Sequence, residues 1–125
     1  MAKIFGLFSI PDDLQPTASP SELKNRLDWG EPALTIIDVR SREAFLEAHI
    51  MGAIAIPESV LVERVSSSLE LERDIYVYGN NDEQSLAAAD KLRAAGYTNV
   101  AELKGGLPAW KAIKGAIEAT RLVAA

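Results

Sequence analysis

Four short apolar runs rich in β-branched residues set the strongest limit on what this chain can fold into. They are Leu34 to Val39 (LTIIDV), Ala53 to Pro57 (AIAIP), Ile75 to Tyr78 (IYVY) and Asn99 to Leu103 (NVAEL). Near-continuous apolar strands suit a sheet that is covered on both faces, whereas a half-exposed sheet asks for alternation. Segments with helical spacing separate the runs, so the order predicts an α/β domain with a parallel sheet and short polar turns. The 125 residues are enough for one such domain with its own core.

The intervening segments carry helix punctuation. Ser19-Pro20-Ser21-Glu22 reads as a helix start, with Ser19 as cap, Pro20 at the first helical position and Glu22 completing a capping box. Leu23 and Leu27 then share a face, and Gly30 supplies the stop. Ser41 is expected to cap a short helix through Glu47, with Ala44, Phe45 and Ala48 turned inward. Val60, Leu61 and Val65 predict another helix. Leu86 to Ala95 predicts a further one, with Leu86, Ala89 and Leu92 on its apolar face and Gly96 at its end. Gly105-Gly106 makes a turn into a last helix, Leu107 to Ile113. Trp110, Tyr97 and Leu103 read as core; Trp29, beside Gly30, reads as exposed and as part of a candidate partner surface.

Charge and residue usage remove several function classes. The formal net charge is −5 and basic residues occur singly among acids, so a nucleic acid partner is not expected and neither is an anionic membrane surface. No apolar run approaches the roughly 20 residues of a membrane span. The patch from Ile4 to Ile10 is short for a secretory segment and reads as an added strand or a strip packed on the domain, which leaves a cytoplasmic location as the expectation. There is no cysteine. That removes disulfides, thiolate metal sites and every mechanism that uses a cysteine nucleophile.

In parallel α/β sheets, ligands sit beyond the carboxyl ends of the strands. Two such ends carry chemistry-bearing residues: Asp38-Val39-Arg40 and the turn Gly79 to Ser85, GNNDEQS. The second joins a strand to a helix N-terminus, a layout that suits anions. Yet it holds no lysine or arginine, and Asp82 and Glu83 stand where the helix field is strongest. These acids are expected to cap the helix themselves and to repel small anions.

Five segments, in order and spacing, carry a resemblance. They are Ser19-Pro20-x-Glu22-Leu23, Ile36-Ile37-Asp38-Val39-Arg40, His49-Ile50-x-Gly52-Ala53-Ile54-x-Ile56-Pro57, Ile75-Tyr76-Val77-Tyr78 with its loop and Ala-rich helix, and Gly96-Tyr97-x-x-Val100-x-x-Leu103-x-Gly105-Gly106-x-x-Ala109-Trp110. Over residues 17–118 the chain resembles the rhodanese-like domain family, with residues 1–16 read as an N-terminal extension and 119–125 as a tail. The resemblance implies a parallel sheet of about five strands flanked by helices on both faces. In active members, the loop after the third of these strands begins with a catalytic cysteine, which takes up sulfur as a persulfide and passes it to cyanide or another thiol. The matching position here is Gly79. The family's glycine three residues on falls on Asp82, its frequent arginine on Gln84, and its serine on Ser85. The resemblance thus marks Gly79, Asn80, Asn81, Asp82, Glu83, Gln84 and Ser85 as a former active-site loop, with Asp38, Arg40, His49 and Gly52 as cleft and scaffold. It gives His49 a structural part near the turn into Gly52. Asp38 is expected to cap the following turn, and Arg40 to pair with Glu43.

The functional expectation is a non-catalytic homologue of thiosulfate sulfurtransferases that binds or regulates a protein partner, is monomeric in isolation, and needs no metal or cofactor. One alternative is an accessory subunit in a sulfur relay whose thiol sits on a partner chain. Another is an enzyme of a different class using Asp38, His49, Asp82, Glu83 or Ser85 as acid or base. A phospho-accepting receiver, with Lys104 after a later strand, lacks the required acidic cluster.

Overall fold

The computed structural model describes residues 3–5, 8–10, 14–30 and 33–119, with side chains from residue 14 onward. Strands β1 (Lys3–Phe5) and β2 (Phe8–Ile10) pair antiparallel. The added strand expected over Ile4 to Ile10 is therefore a hairpin, and what its side chains pack on lies outside the described residues. After it come β3 (Thr17–Ala18), α1 (Pro20–Asp28), β4 (Leu34–Asp38), α2 (Arg42–Glu47), β5 (His49–Ile50) and β6 (Ile54–Ala55). The chain continues through a 3₁₀ turn into α3 (Leu61–Ser68), then β7 (Asp74–Tyr78), α4 (Asp82–Ala94), β8 (Val100–Leu103), α5 (Gly106–Ala112) and β9 (Ile117–Glu118).

Five strands form one sheet in the order β3-β8-β7-β4-β6, every neighbouring pair parallel. The expected sheet of about five parallel strands is present. Two of its members escaped the sequence reading or shrank: β3 is only two residues long, and AIAIP contributes Ile54 and Ala55 alone. A second small ladder pairs β5 with β9 antiparallel, His49 opposite Glu118.

Period-2 alternation in the strands splits the core into two layers. Ile37, Ile75, Val77 and Val100 face one side, where Leu61 and Val65 of α3 and Ala88, Ala89 and Leu92 of α4 close over them. Ile36, Tyr76, Tyr78, Ala101 and Leu103 face the other, covered by Leu23 of α1 and by Leu107 and Trp110 of α5. Each fully buried Leu, Ile or Val contributes about 1.5–3 kcal/mol relative to exposure. The central strand β7, with four buried residues in succession, is the seam between the layers. Trp110 and Tyr97 are core as expected, although they lie in opposite layers, and Trp29 is 84% exposed.

One helix face differs from the expectation. The helix begins at Asp82, four residues before Leu86, and its buried stripe is Ser85, Ala88, Ala89 and Leu92. Those positions follow i, i+3, i+4, i+7. Leu86 falls off the stripe and is 44% exposed.

Candidate functional site

Strands β4 and β7 lie side by side with Asp38 opposite Tyr78, so the two expected strand ends meet at the same edge of the sheet. Asp38 is completely buried. Its carboxylate is answered by Arg40, whose Nε donates to both oxygens at 3.0 and 3.1 Å and whose Nη2 donates at 2.7 Å. The Arg40 backbone N–H adds a bond of 2.9 Å to the same carboxylate, which closes the turn as expected of Asp38. The expected Arg40–Glu43 pair is corrected by this geometry. A buried carboxylate left unpaired costs several kcal/mol, while a surface pair is worth a fraction of one, so the guanidinium goes to Asp38.

Arg40 is further fixed by a 2.6 Å bond from Nη2 to the Ala48 carbonyl and by lying 5.5 Å over the Tyr78 ring. Burial opposes its charge, but the bonds to Asp38 and that carboxylate's charge outweigh it and hold Arg40 above its ordinary pKa. Tyr78 accepts the Ile50 N–H at 3.1 Å. Burial, reinforced by the charge of Asp38, pushes its hydroxyl well above the ordinary value of 10.0. The cleft wall is thus one connected network running β4, β7, α2 and β5.

His49 lies next to that network, one residue before Ile50. Its ring stacks on Phe45 with centroids 3.7 Å apart, and Nδ1 bonds the Phe45 carbonyl at 2.8 Å. Nε2 lies 3.5 Å from Glu118 Oε1, and the same oxygen accepts the Gly52 N–H at 3.0 Å. The link between His49 and Gly52 therefore runs through Glu118, a residue the sequence reading did not single out because it arrives from β9. Among the described residues, no group of three or more His, Cys, Asp or Glu is placed to hold a metal.

The loop from Gly79 to Ser85 is bonded to itself. Asn81, not Asp82 or Glu83, caps α4: its Oδ1 accepts the Gln84 N–H at 2.8 Å. Asp82 instead reaches across the cleft, accepting the Gly105 N–H at 2.8 Å. That tie depends on the paired glycines, since Gly105 and Gly106 both take left-handed φ values of 77° and 52°. Ser85 is buried, and its hydroxyl accepts the Gly79 N–H at 2.9 Å while donating to the Asn81 carbonyl at 3.1 Å. Gln84 folds back four residues so that Oε1 accepts the Asn80 N–H at 2.6 Å.

Beside this loop lies a half-open cavity of about 310 Å³ lined by Arg40, Gly79, Asn80, Leu107, Pro108 and Lys111. The structure thus brings Arg40 and the start of the loop to one cleft and sends His49 and Gly52 to a neighbouring clasp. The chemistry available at the cleft is limited. Ser85 has both hydroxyl functions engaged by backbone groups, and Arg40 is committed to Asp38. Lys111, which the sequence reading passed over, is the exposed cation at the rim.

A family model described as the rhodanese-like domain matches residues 19–113. The chain belongs to the rhodanese-like domain family. Among curated relatives, it is 39% identical over 75 residues to the uncharacterized protein YqhL of Bacillus subtilis (strain 168), covering 60% of this chain and 59% of that protein. It is 40% identical over 72 residues to the thiosulfate sulfurtransferase PspE of Escherichia coli (strain K12), covering 57% and 68%. The crystal structure of the Alr3790 protein from Anabaena sp. matches with a TM-score of 0.81 at 56% identity, covering 84% of this chain and 94% of that one. The chain spans 59% of the length of YqhL, and 25% and 24% of two adenylyltransferase relatives. This rhodanese-like domain is accordingly a homologue of thiosulfate sulfurtransferases, and its sequence contains no cysteine.

Proposed function

We propose that this rhodanese-like domain is non-catalytic and acts in binding or regulation, with a protein partner, in the cytoplasm. The observation that carries the reading is the loop itself: a strand, a turn and a helix N-terminus, with Gln84 folded over Gly79, the residue that the family resemblance matches to the nucleophile. Sulfur transfer requires a polarisable thiolate, and glycine offers no side chain. The functional unit is residues 17–118, which takes in the clasp between His49 and Glu118.

An enzyme of another class in the same cleft is disfavoured by what its acids are doing. Asp38 is consumed by Arg40 and Asp82 by the Gly105 amide, so neither is poised to take a substrate proton. A role beside a thiol carried by a partner in a sulfur relay keeps the same non-catalytic domain and differs only in the partner.

The test is an assay with thiosulfate and cyanide, or thiosulfate and a small thiol, on protein purified free of host sulfurtransferases. The expected rate equals the buffer background. Turnover that follows the protein through purification and is lost on alteration of the loop would overturn the proposal.

A further inference from the structure

The place that a side chain at residue 79 would occupy is already taken. A Cβ built on Gly79 would lie 2.5 Å from Gln84 Oε1, 2.7 Å from its Cγ and 2.8 Å from its Cδ. No side chain at 79 tolerates those contacts, so the present Gln84 conformation and any residue other than glycine exclude each other. Gly79 does not have a left-handed φ, and the backbone itself therefore admits other residues. The three atoms nearest that Cβ all belong to Gln84.

The reason for that conformation lies in helix capping. In an ordinary capping box, the residue at the third helical position reaches back to the backbone N–H of the cap. Here Asn81 is the cap and Gln84 is that third residue, but its carboxamide goes one residue further, to the Asn80 N–H. The extra reach passes through the volume that glycine leaves open. Gly79 and Gln84 are therefore one device: the glycine makes room, and the glutamine fills it with a neutral carbonyl oxygen held by a loop amide.

We infer that Gln84 is an intramolecular plug that closes this loop independently of the missing thiol. It rests on the reading of the loop as a former active site, and it adds that the site is shut by an occupant. A ligand at the cleft then meets Arg40, Gly79, Asn80, Leu107, Pro108 and Lys111, with the Asn80 N–H already bonded to Gln84.

The experiment uses the absence of cysteine, because a thiol introduced at position 79 is the only one in the molecule. Three variants are compared with the parent: Gly79→Cys, Gln84→Ala and the double substitution. With Gln84 present, Gly79→Cys is expected to lower Tm by several degrees; with Gln84→Ala, the same change is expected to lower it by no more than a degree or two. Alkylation of the introduced thiol by iodoacetamide should run at least tenfold faster in the double variant than in Gly79→Cys. In Gln84→Ala alone, hydrogen exchange at the Asn80 amide should accelerate at least tenfold while the amides of β7 keep their rates. Equal alkylation rates, additive Tm shifts and unchanged Asn80 exchange would overturn the plug. Sulfur transfer by the parent protein would instead overturn the proposed function, and the exchange at Asn80 reads the plug whichever way that assay falls.

Discussion

At the scale of single residues, two side chains decide what the cleft is. Arg40 is the first. Its fork spends itself on Asp38 and the Ala48 carbonyl, so Arg40→Ala should cost about 3 kcal/mol in urea unfolding by leaving a buried carboxylate unpaired. Arg40→Lys should regain only part of that loss, since an ammonium cannot make the bidentate pair. A loss under about 1 kcal/mol for Arg40→Ala would mean that water replaces the guanidinium at Asp38. Gly79 is the second. Gly79→Cys should give little or no transfer from thiosulfate, because Gln84 crowds the new thiol and Asp82 and Glu83 disfavour a thiolate at the helix start. Turnover approaching that of an active sulfurtransferase assayed alongside would show that the acids count for little. The sequence made the vacancy at 79 legible through its neighbours in the pattern. It did not reveal the Gln84 contact, although Asn81-x-x-Gln84 has the spacing of a capping box and could have been read as one, as Ser19-x-x-Glu22 was.

For the elements, what was legible depended on length. The five-residue strands β4 and β7 announced themselves as apolar runs, whereas β3, β5 and β9 have two residues each, too few for any periodicity to register. The clasp at His49 was therefore half seen, since Glu118 reaches it only through β9. The phase of α4 was lost in a different way. Starting the helix at Leu86 made that residue the natural anchor of an apolar face, while starting it at Asp82 puts Ser85 on the stripe. Leu86→Gln should accordingly shift stability by no more than about 0.5 kcal/mol. Ser85→Ala should cost about 1–3 kcal/mol, because the buried Gly79 N–H loses its acceptor. Paired urea denaturation curves of the two variants decide this, and a reversed order would return Leu86 to the core.

Across the whole molecule, the sheet carries two tyrosines on one layer of its central strand, and both are raised by burial. Arg26 partly offsets the effect at Tyr76, and the charge of Asp38 adds to it at Tyr78. Each phenol has a folded pKa above its ordinary value of 10.0, so folding favours the protonated form. That contribution is intact below pH 10 and drains away as pH rises beyond it. Stability should stay flat with respect to these groups through neutral pH and fall in the alkaline range. Phenolate absorbance from Tyr76 and Tyr78 should appear together with loss of the native fold, and Tyr78→Phe should remove its own share of the alkaline decline. Early phenolate absorbance with the fold intact, still present when Tyr97 is replaced by Phe, would contradict the burial of the two side chains.

The fit between Gly79 and Gln84 also bears on how such a protein can change over generations. A single replacement at 79 obliges Gln84 to leave its place, and a single replacement at 84 takes from the Asn80 N–H the acceptor it now has. The two positions are therefore coupled, and a substitution at either one changes what the other can hold, as a tenon limits what its mortise can take.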